Sequence, residues 1–346
     1  EAWRDKQVGE GQWLAVKLDD KGAGLEALLE LLGARPKPRI REPHLALLYA
    51  VGEVVDGVGS GPTSANQEIA SRHLVGALRA AADDTHVKAV VLRVDSPGGS
   101  ALASELIWHA VRYAQAKKPV VVSMGNLAAS GGYYISSGAQ RIFAQPDTLT
   151  GSIGVVGGKI VLGPALRRLG VNVYEMGAAK RSLFMSTTRK WSQDERAAMT
   201  AHMQDVYDTF KQRVAEGRKL SVEQVETIAQ GRLWIGADAK ERGLVDALGG
   251  LEDALTEARK LGGLPKDAPT SVYPAEPTLL DFLGQLGGNT RAATDDGAAL
   301  ISAWNRAGVG LVLGAELSRS LASTLIRVEH FRREPVRVIS FVQGLR

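Results

Sequence analysis

The chain has 346 residues, 45% hydrophobic and 23% charged, enough to bury a substantial core in one large domain or two modest ones. Its 42 basic and 38 acidic residues leave a net charge of +4, too weak an excess to imply a nucleic-acid partner. With no cysteine, disulfides, thiolate metal sites and a cysteine nucleophile are excluded. No window approaches the ~20 apolar residues that cross a bilayer. The chain starts at Glu1 with no charged-then-apolar leader, as expected of a processed product or a fragment that has lost an upstream anchor.

Residues 1–43 are read as a linker or upstream segment. QWLAVKLDD suggests a strand there, and GLEALLELLGA an amphipathic helix ended by Gly33. HLALLYAVGEVV from His44 is an apolar strand running into the glycine- and serine-rich loop GVGSGPTSAN. A helix is expected from about Asn66 to Ala82, with Ile69, Leu74 and Leu78 on one face. From Val87 a strand–turn–helix pattern repeats: KAVVLRV, DSPGGS, ALASELIWHAVRYAQAKK, then PVVVSM and GGYYISSGA, then QRIFAQ. Continuous apolar strands alternating with helices predict an α/β fold with a parallel sheet covered on both faces. TGSIGVVGG reads as a glycine-rich loop, PALRRLG as a short helix and VNVYEM as another strand. Helices are expected over Ser192–Gly217 and Ser221–Ala229, with a closing pair from WIGADAKERGLVDALGG and LEDALTEARKLGG. Proline-rich LPKDAPTSVYPAEPT marks a domain edge, and residues 263–346 are read as a solvated or partner-covering, partly helical extension.

The chemistry concentrates in small motifs at the strand ends. Ser130 in NLAASGGYY stands at a strand-to-helix corner between Ala128, Ala129, Gly131 and Gly132, where little bulk blocks a substrate. The nucleophile elbow of hydrolases uses the same geometry, without the G-x-S-x-G pattern here; as a plain structural residue, Ser130 would be an N-cap. In Asp95-Ser96-Pro97-Gly98-Gly99, the glycines let the backbone approach a ligand, and an amide of Gly98 or Gly99 can face a developing oxyanion. A serine nucleophile needs a base. None of the six histidines (His44, His73, His86, His109, His202, His330) lies at a strand end or in a glycine-rich loop after the serine, and no H-E-x-x-H pair exists. That leaves lysine, as in Ser-Lys dyads. Lys180 in EMGAAKRSLF follows the expected VNVYEM strand, with Met176, Leu183 and Phe184 available to desolvate it and lower its pKa; Lys159 and Lys190 are weaker candidates.

Taken in order, SPGGS at 96–100, NLAASGGYYIS at 126–136, TLTGSIGVVG at 148–157, GAAK at 177–180 and GRLWIGADAKERGLVD at 231–246 resemble the signal peptide peptidase A family. The resemblance covers roughly residues 45–262, so residues 44–262 are taken as the catalytic domain. It implies the Clp-protease/crotonase-like spiral of ββα units. It also implies a serine protease with a Ser/Lys dyad and no cofactor or metal, which degrades cleaved signal peptides left in the membrane. By position Ser130 matches the nucleophile, Lys180 the general base, and Gly98 or Gly99 with Gly131 the oxyanion-hole amides. Ser152 matches a hydroxyl that steers the lysine amine. The resemblance further implies a homo-oligomer, or an upstream homologous half, attached to the cytoplasmic membrane and facing its outer, periplasmic side. Two other readings stand beside it: a non-catalytic scaffold half of a two-copy peptidase, and a crotonase-like acyl-CoA enzyme using Asp95 or Glu105.

Overall fold

The structure is a computed structural model that describes residues 40–59 and 67–273 and the backbone of 336–339, all within one compact unit. The strand and helix expected before residue 40, and most of the extension after 273, lie outside the described residues. The described chain opens with β1 (His44–Val51), β2 (Glu53–Val55) and β3 (Glu68–Ala70), then helix α1 (Ser71–Asp83). Next come β4 (Val87–Ser96), β5 (Gly98–Ser100), α2 (Ala101–Gln115), β6 (Val120–Ala129) and α3 (Gly131–Ser137). After β7 (Arg141–Ala144), β8 (Leu149–Gly151) and β9 (Val156–Gly157) the chain turns mainly helical. The later elements are α4 (Gly163–Arg168), α5 (Gln193–Arg218), α6 (Val222–Ile228), β10 (Leu233–Ile235), α7 (Gly236–Glu241), β11 (Ala247–Leu248), α8 (Leu251–Leu261), β12 (Thr270–Tyr273) and β13 (Val336–Ile339).

The main sheet runs β10-β8-β6-β4-β1-β12, with β7 on β6 and β11 on β7. Its central pairs β1–β4 and β4–β6 are parallel, as the continuous apolar strands predict. Alternate residues serve opposite faces. Leu48, Val90, Leu92, Val120 and Val122 join a cluster with Leu78, Ile107, Tyr134 and Phe210 on one face. Leu45, Leu47, Ala89, Val91 and Val121 meet Ala254, Leu255 and Ala258 of α8 on the other. Each such fully buried aliphatic side chain contributes about 1.5–3 kcal/mol, so the two layers fix where the central strands end. Beyond residue 262 the sheet gains β12, parallel to β1 with Leu45 opposite Thr270.

A smaller sheet, β3-β2-β5-β13-β9, forms from segments whose short length and glycines hide them from a periodicity reading. Two expectations are corrected. The first helix begins at Ser71, because Glu68–Ala70 pairs in parallel with β2 instead. Val171–Met176 forms no strand: it pairs with no other strand among the described residues, the Val171 N–H turning back to the Leu166 carbonyl, and Tyr174 and Met176 are 89% and 94% exposed. Among the described residues no helix is long and apolar enough to cross a membrane.

Candidate active site

Strand β6 forks. Its first half pairs with β7 through Val121–Ser123, its last residues with β8 through Leu127–Ala129, and Ser130 follows at the tip. The Ser130 N–H donates to the Gly151 carbonyl at 2.8 Å, and its carbonyl accepts from the Tyr134 N–H at 2.8 Å. These two bonds pin the corner, and Ser130 takes φ 56°, ψ −119°. A non-glycine residue there costs about 1–3 kcal/mol, which the surrounding structure must hold in place. Ser130 is 0% exposed and its Oγ makes no hydrogen bond among the described residues, so it does not cap α3. The neighbouring hydroxyls do make theirs: Ser104 to the Ser100 carbonyl, Ser136 to Gly132, Thr148 to Gly125 and Thr150 to Ala128. A strained, buried and unpartnered serine hydroxyl beside a helix start has the marks of a nucleophile elbow.

The three glycines singled out by sequence converge on this corner. A methyl on Gly131 would stand 3.1 Å from both Gly98 Cα and Gly99 N, so α3 starts directly against β5. Gly99, at φ +153°, has its missing Cβ position only 2.1 Å from the Val54 carbonyl oxygen; no other residue fits there. The Gly98 N–H donates to Ser96 Oγ at 3.1 Å. Ser152 is buried at φ 49° directly after Gly151, the residue that holds the Ser130 amide.

Sequence reasoning missed the parts that aim this corner. Between Val94↔Met124 and Ser96↔Ala128 the β4–β6 register slips, leaving extra residues on β6. Asp95 holds this bulge: its Oδ1 accepts from the Leu127 N–H at 3.2 Å, and Gly125 lies flat against the carboxylate. Bulges of this kind re-aim the end of a strand. Behind α3, Tyr134 donates its hydroxyl to Glu105 Oε2 at 2.6 Å and stacks on Phe210 with centroids 4.4 Å apart. Arg213 clamps the same carboxylate, Nη2 to Oε1 at 2.6 Å and Nε to Oε1 at 3.0 Å. Burial pushes the Glu105 carboxyl up, but the hydrogen bonds from Arg213 and Tyr134 outweigh it and hold it below the usual range. Burial, with Glu105 beside it, pushes the Tyr134 phenol well up. The only advance signal was a Glu and two Tyr near the motifs, with no spacing to join them to Arg213.

Lys180 is not brought to Ser130 within one chain. Its side chain is 82% exposed, with Nζ 3.7 Å from Asp194, while Ser130 Oγ has no partner. The expected apolar shelter is absent on the Met176 side, where that residue points to solvent. Arg181 donates Nε and Nη2 to the two Asp194 oxygens at 3.0 Å, fixing this segment to the start of α5. Lys159 is the more enclosed lysine: Nζ donates to the Phe184 carbonyl at 3.1 Å and lies 5.3 Å from the Trp191 ring. Burial, then the Arg189 charge, lowers its pKa.

A parallel α/β core with an elbow serine facing a glycine turn defines a hydrolase-like site, and comparison with known proteins gives the family. The model for peptidase family S49 matches residues 112–264, and that for Clp protease matches residues 62–149. The chain is 40% identical over 270 residues to Protease 4 of Salmonella typhi, covering 75% of this chain and 42% of that protein. It is 36% identical over 250 residues to the chloroplastic serine protease SPPA of Arabidopsis thaliana, covering 70% and 36%. It is also 36% identical over 216 residues to a Synechocystis sp. protein provisionally named a protease, covering 59% and 78%. The chain belongs to peptidase family S49. It spans less than half the length of the first two relatives.

Proposed function

We propose that this chain is a serine endopeptidase that takes extended peptides, among them cleaved signal peptides, with Ser130 as nucleophile. The observation that carries the reading is the buried Ser130 hydroxyl, strained and without a partner among the described residues, where those of Ser104, Ser136, Thr148 and Thr150 each have one. Ser130 Oγ attacks the scissile carbonyl as a neutral lysine amine takes its proton. The oxyanion is met by the amides of Gly131 and of Gly98 or Gly99, with Gly99 favoured because Ser96 engages the Gly98 N–H. The lysine then protonates the leaving amine, an acyl-enzyme forms on Ser130, and water attacks it with the same lysine as base. Lys180 supplies the amine from a second copy or a homologous half, since its own chain leaves it in solvent, and Ser152 helps aim it. Docking of that neighbour over the apolar Lys180 segment would provide the desolvation a neutral lysine needs. Attachment to the outer face of the cytoplasmic membrane belongs to this reading and rests on the family resemblance.

A second reading of the base is Lys159, favoured by its partial burial and lowered pKa. An acyl-CoA hydratase is disfavoured, because Asp95 is spent on the β6 bulge and Glu105 on Tyr134 and Arg213. A pure scaffold is disfavoured by the strain kept at Ser130.

The test is covalent labelling with a serine-directed phosphonate, read by intact mass, on wild type, Ser130→Ala, Lys180→Ala and Lys159→Ala. Wild type is expected to label, Ser130→Ala not at all, and Lys180→Ala at a rate lower by about 10²–10⁴-fold, the usual contribution of a positioned base. Full labelling of Lys180→Ala with loss in Lys159→Ala moves the base to Lys159. A folded wild type that does not label, whether alone, assembled or supplied with a homologous half, overturns the peptidase reading.

A further inference from the structure

The small sheet has a feature that the proposed chemistry does not require. Its strand β13 comes from the chain's own distant segment Val336–Ile339, and it lies between β5 and β9, antiparallel to both. Opposite β5, Ile339 pairs with Gly98, Val338 with Gly99 and Arg337 with Ser100. Opposite β9, Val336 pairs with Gly157 and Arg337 with Val156. β5 is the strand that abuts Gly131, the residue after Ser130. The slot between β5 and β9 is therefore one strand wide, lined by two backbone edges, and passes the nucleophile corner at the level of Val338 and Ile339.

A slot of that shape selects an extended main chain, because the ladder hydrogen bonds come from backbone and ask little of the side chains. Val336-Arg337-Val338-Ile339 suits it, with three β-branched residues in four. If the peptidase reading above holds, the position taken by β13 is where a substrate peptide would lie.

We propose that residues 336–339 are a built-in competitor: the chain's own strand fills the peptide slot, and substrate enters by displacing it. The slot then takes peptides with a stretch of about four extended, β-favouring residues, matched to the length of the resident strand. Free enzyme is held down while the strand is in place, and a substrate able to pair over more of β5 and β9 overcomes it.

The test uses the full chain and Val338→Pro, which removes the N–H at the position opposite Gly99 and breaks the ladder. Ile339→Gly serves as a second variant with a weaker strand and no ring. The first readout is hydrogen exchange of the Gly98–Ser100 and Val156–Gly157 amides in a Ser130→Ala background, which needs no activity. The second is the rate of phosphonate labelling with Ser130 intact. Release of the strand is expected to speed exchange at both edges. It is also expected to raise the labelling rate about fivefold, as for a slot occupied about four-fifths of the time. A synthetic peptide of residues 334–342 is expected to return Val338→Pro toward the wild-type rate. Unchanged exchange in both variants overturns the proposal, whatever the labelling does. Faster exchange without labelling of any variant keeps the resident strand and removes the peptidase reading instead.

Discussion

Ser130 is built against its own stability. Its φ of 56° is one an L side chain rarely adopts, and its hydroxyl is buried with no hydrogen bond. An unpaired buried polar group costs about 1–3 kcal/mol. Ser130→Ala keeps the strained backbone but removes the orphan hydroxyl. The variant is therefore expected to unfold at a temperature equal to or higher than wild type, by up to the few degrees that 1 kcal/mol represents, while losing all phosphonate labelling. Calorimetry on the two proteins decides it, and a lower midpoint for Ser130→Ala would mean the hydroxyl has a structural partner after all. Gly131→Ala should behave in the opposite way. Its methyl would lie 2.7 Å from Ser104 Oγ and 3.1 Å from Gly99 N, wedging α3 off β5. Overpacking of this kind costs about 1–3 kcal/mol, so that variant is expected to lose both stability and labelling.

At the scale of elements, α5 links the segment that carries Lys180 to the helix that follows Ser130, the two halves of the proposed dyad. Asp194 near its start holds Lys180 and Arg181, and Phe210 near its end stacks on Tyr134 of α3. Those two anchors are separated by about 24 Å at 1.5 Å per residue. The start of the helix is fastened by Glu195, which closes a capping box with Ser192 and receives both Arg189 Nη1 and Nη2 at 2.7 Å. The Arg189 hydrogen bonds, with the Ser192 N–H behind them, hold the Glu195 carboxyl down at about 2. A carboxyl whose folded pKa is depressed contributes stability that is fully present above its unfolded value, near 4.5, and lost as pH falls through about 2. Hydrogen exchange of residues 181–199 is expected to quicken across that window in wild type. The pH dependence should be weaker in Glu195→Gln, and equal profiles would remove Glu195 as the fastener. The sequence pattern placed the starts of this helix at Ser192 and of α6 at Ser221, and the structure shows the local chemistry behind both: capping boxes of Ser192 with Glu195 and of Ser221 with Gln224. The sequence pattern likewise announced β4 and β6, which are buried on both faces and so read as unbroken apolar runs. Ser130 and the glycines around it were legible because small residues at a strand end have few other uses. What stayed hidden depends on distant partners. The β6 bulge exists through Asp95, Tyr134 is set by Arg213, and β5 becomes a strand only because β2 and β13 flank it. Val171–Met176 has strand-like residues, but a strand needs a neighbour's ladder, and none is offered among the described residues.

At the scale of the whole molecule, the features left over in one copy are complementary. Ser130 is buried and lacks a base, while Lys180 stands in solvent on a segment that exposes Leu169, Tyr174 and Met176. A lysine tied to its own α5 reaches a serine most simply in a neighbouring copy, through a head-to-tail contact that closes into a ring. That arrangement makes a prediction no single-chain dyad makes. Ser130→Ala lacks the proposed nucleophile but keeps Lys180; Lys180→Ala lacks the proposed base but keeps Ser130. Each alone is expected to be inactive toward an extended peptide. Dissociated, mixed in equal amounts and reassembled, they should recover about a quarter of wild-type activity, the fraction of random junctions that join an intact serine to an intact lysine. Tyr174→Asp, placed in the exposed segment, should lower both assembly in sedimentation and the recovered activity together. Mixtures that stay inactive while wild type assembles and turns over would put the dyad within one chain, reached by a movement of the Lys180 segment. Activity that appears only when a homologous half is supplied would assign the lysine to that half.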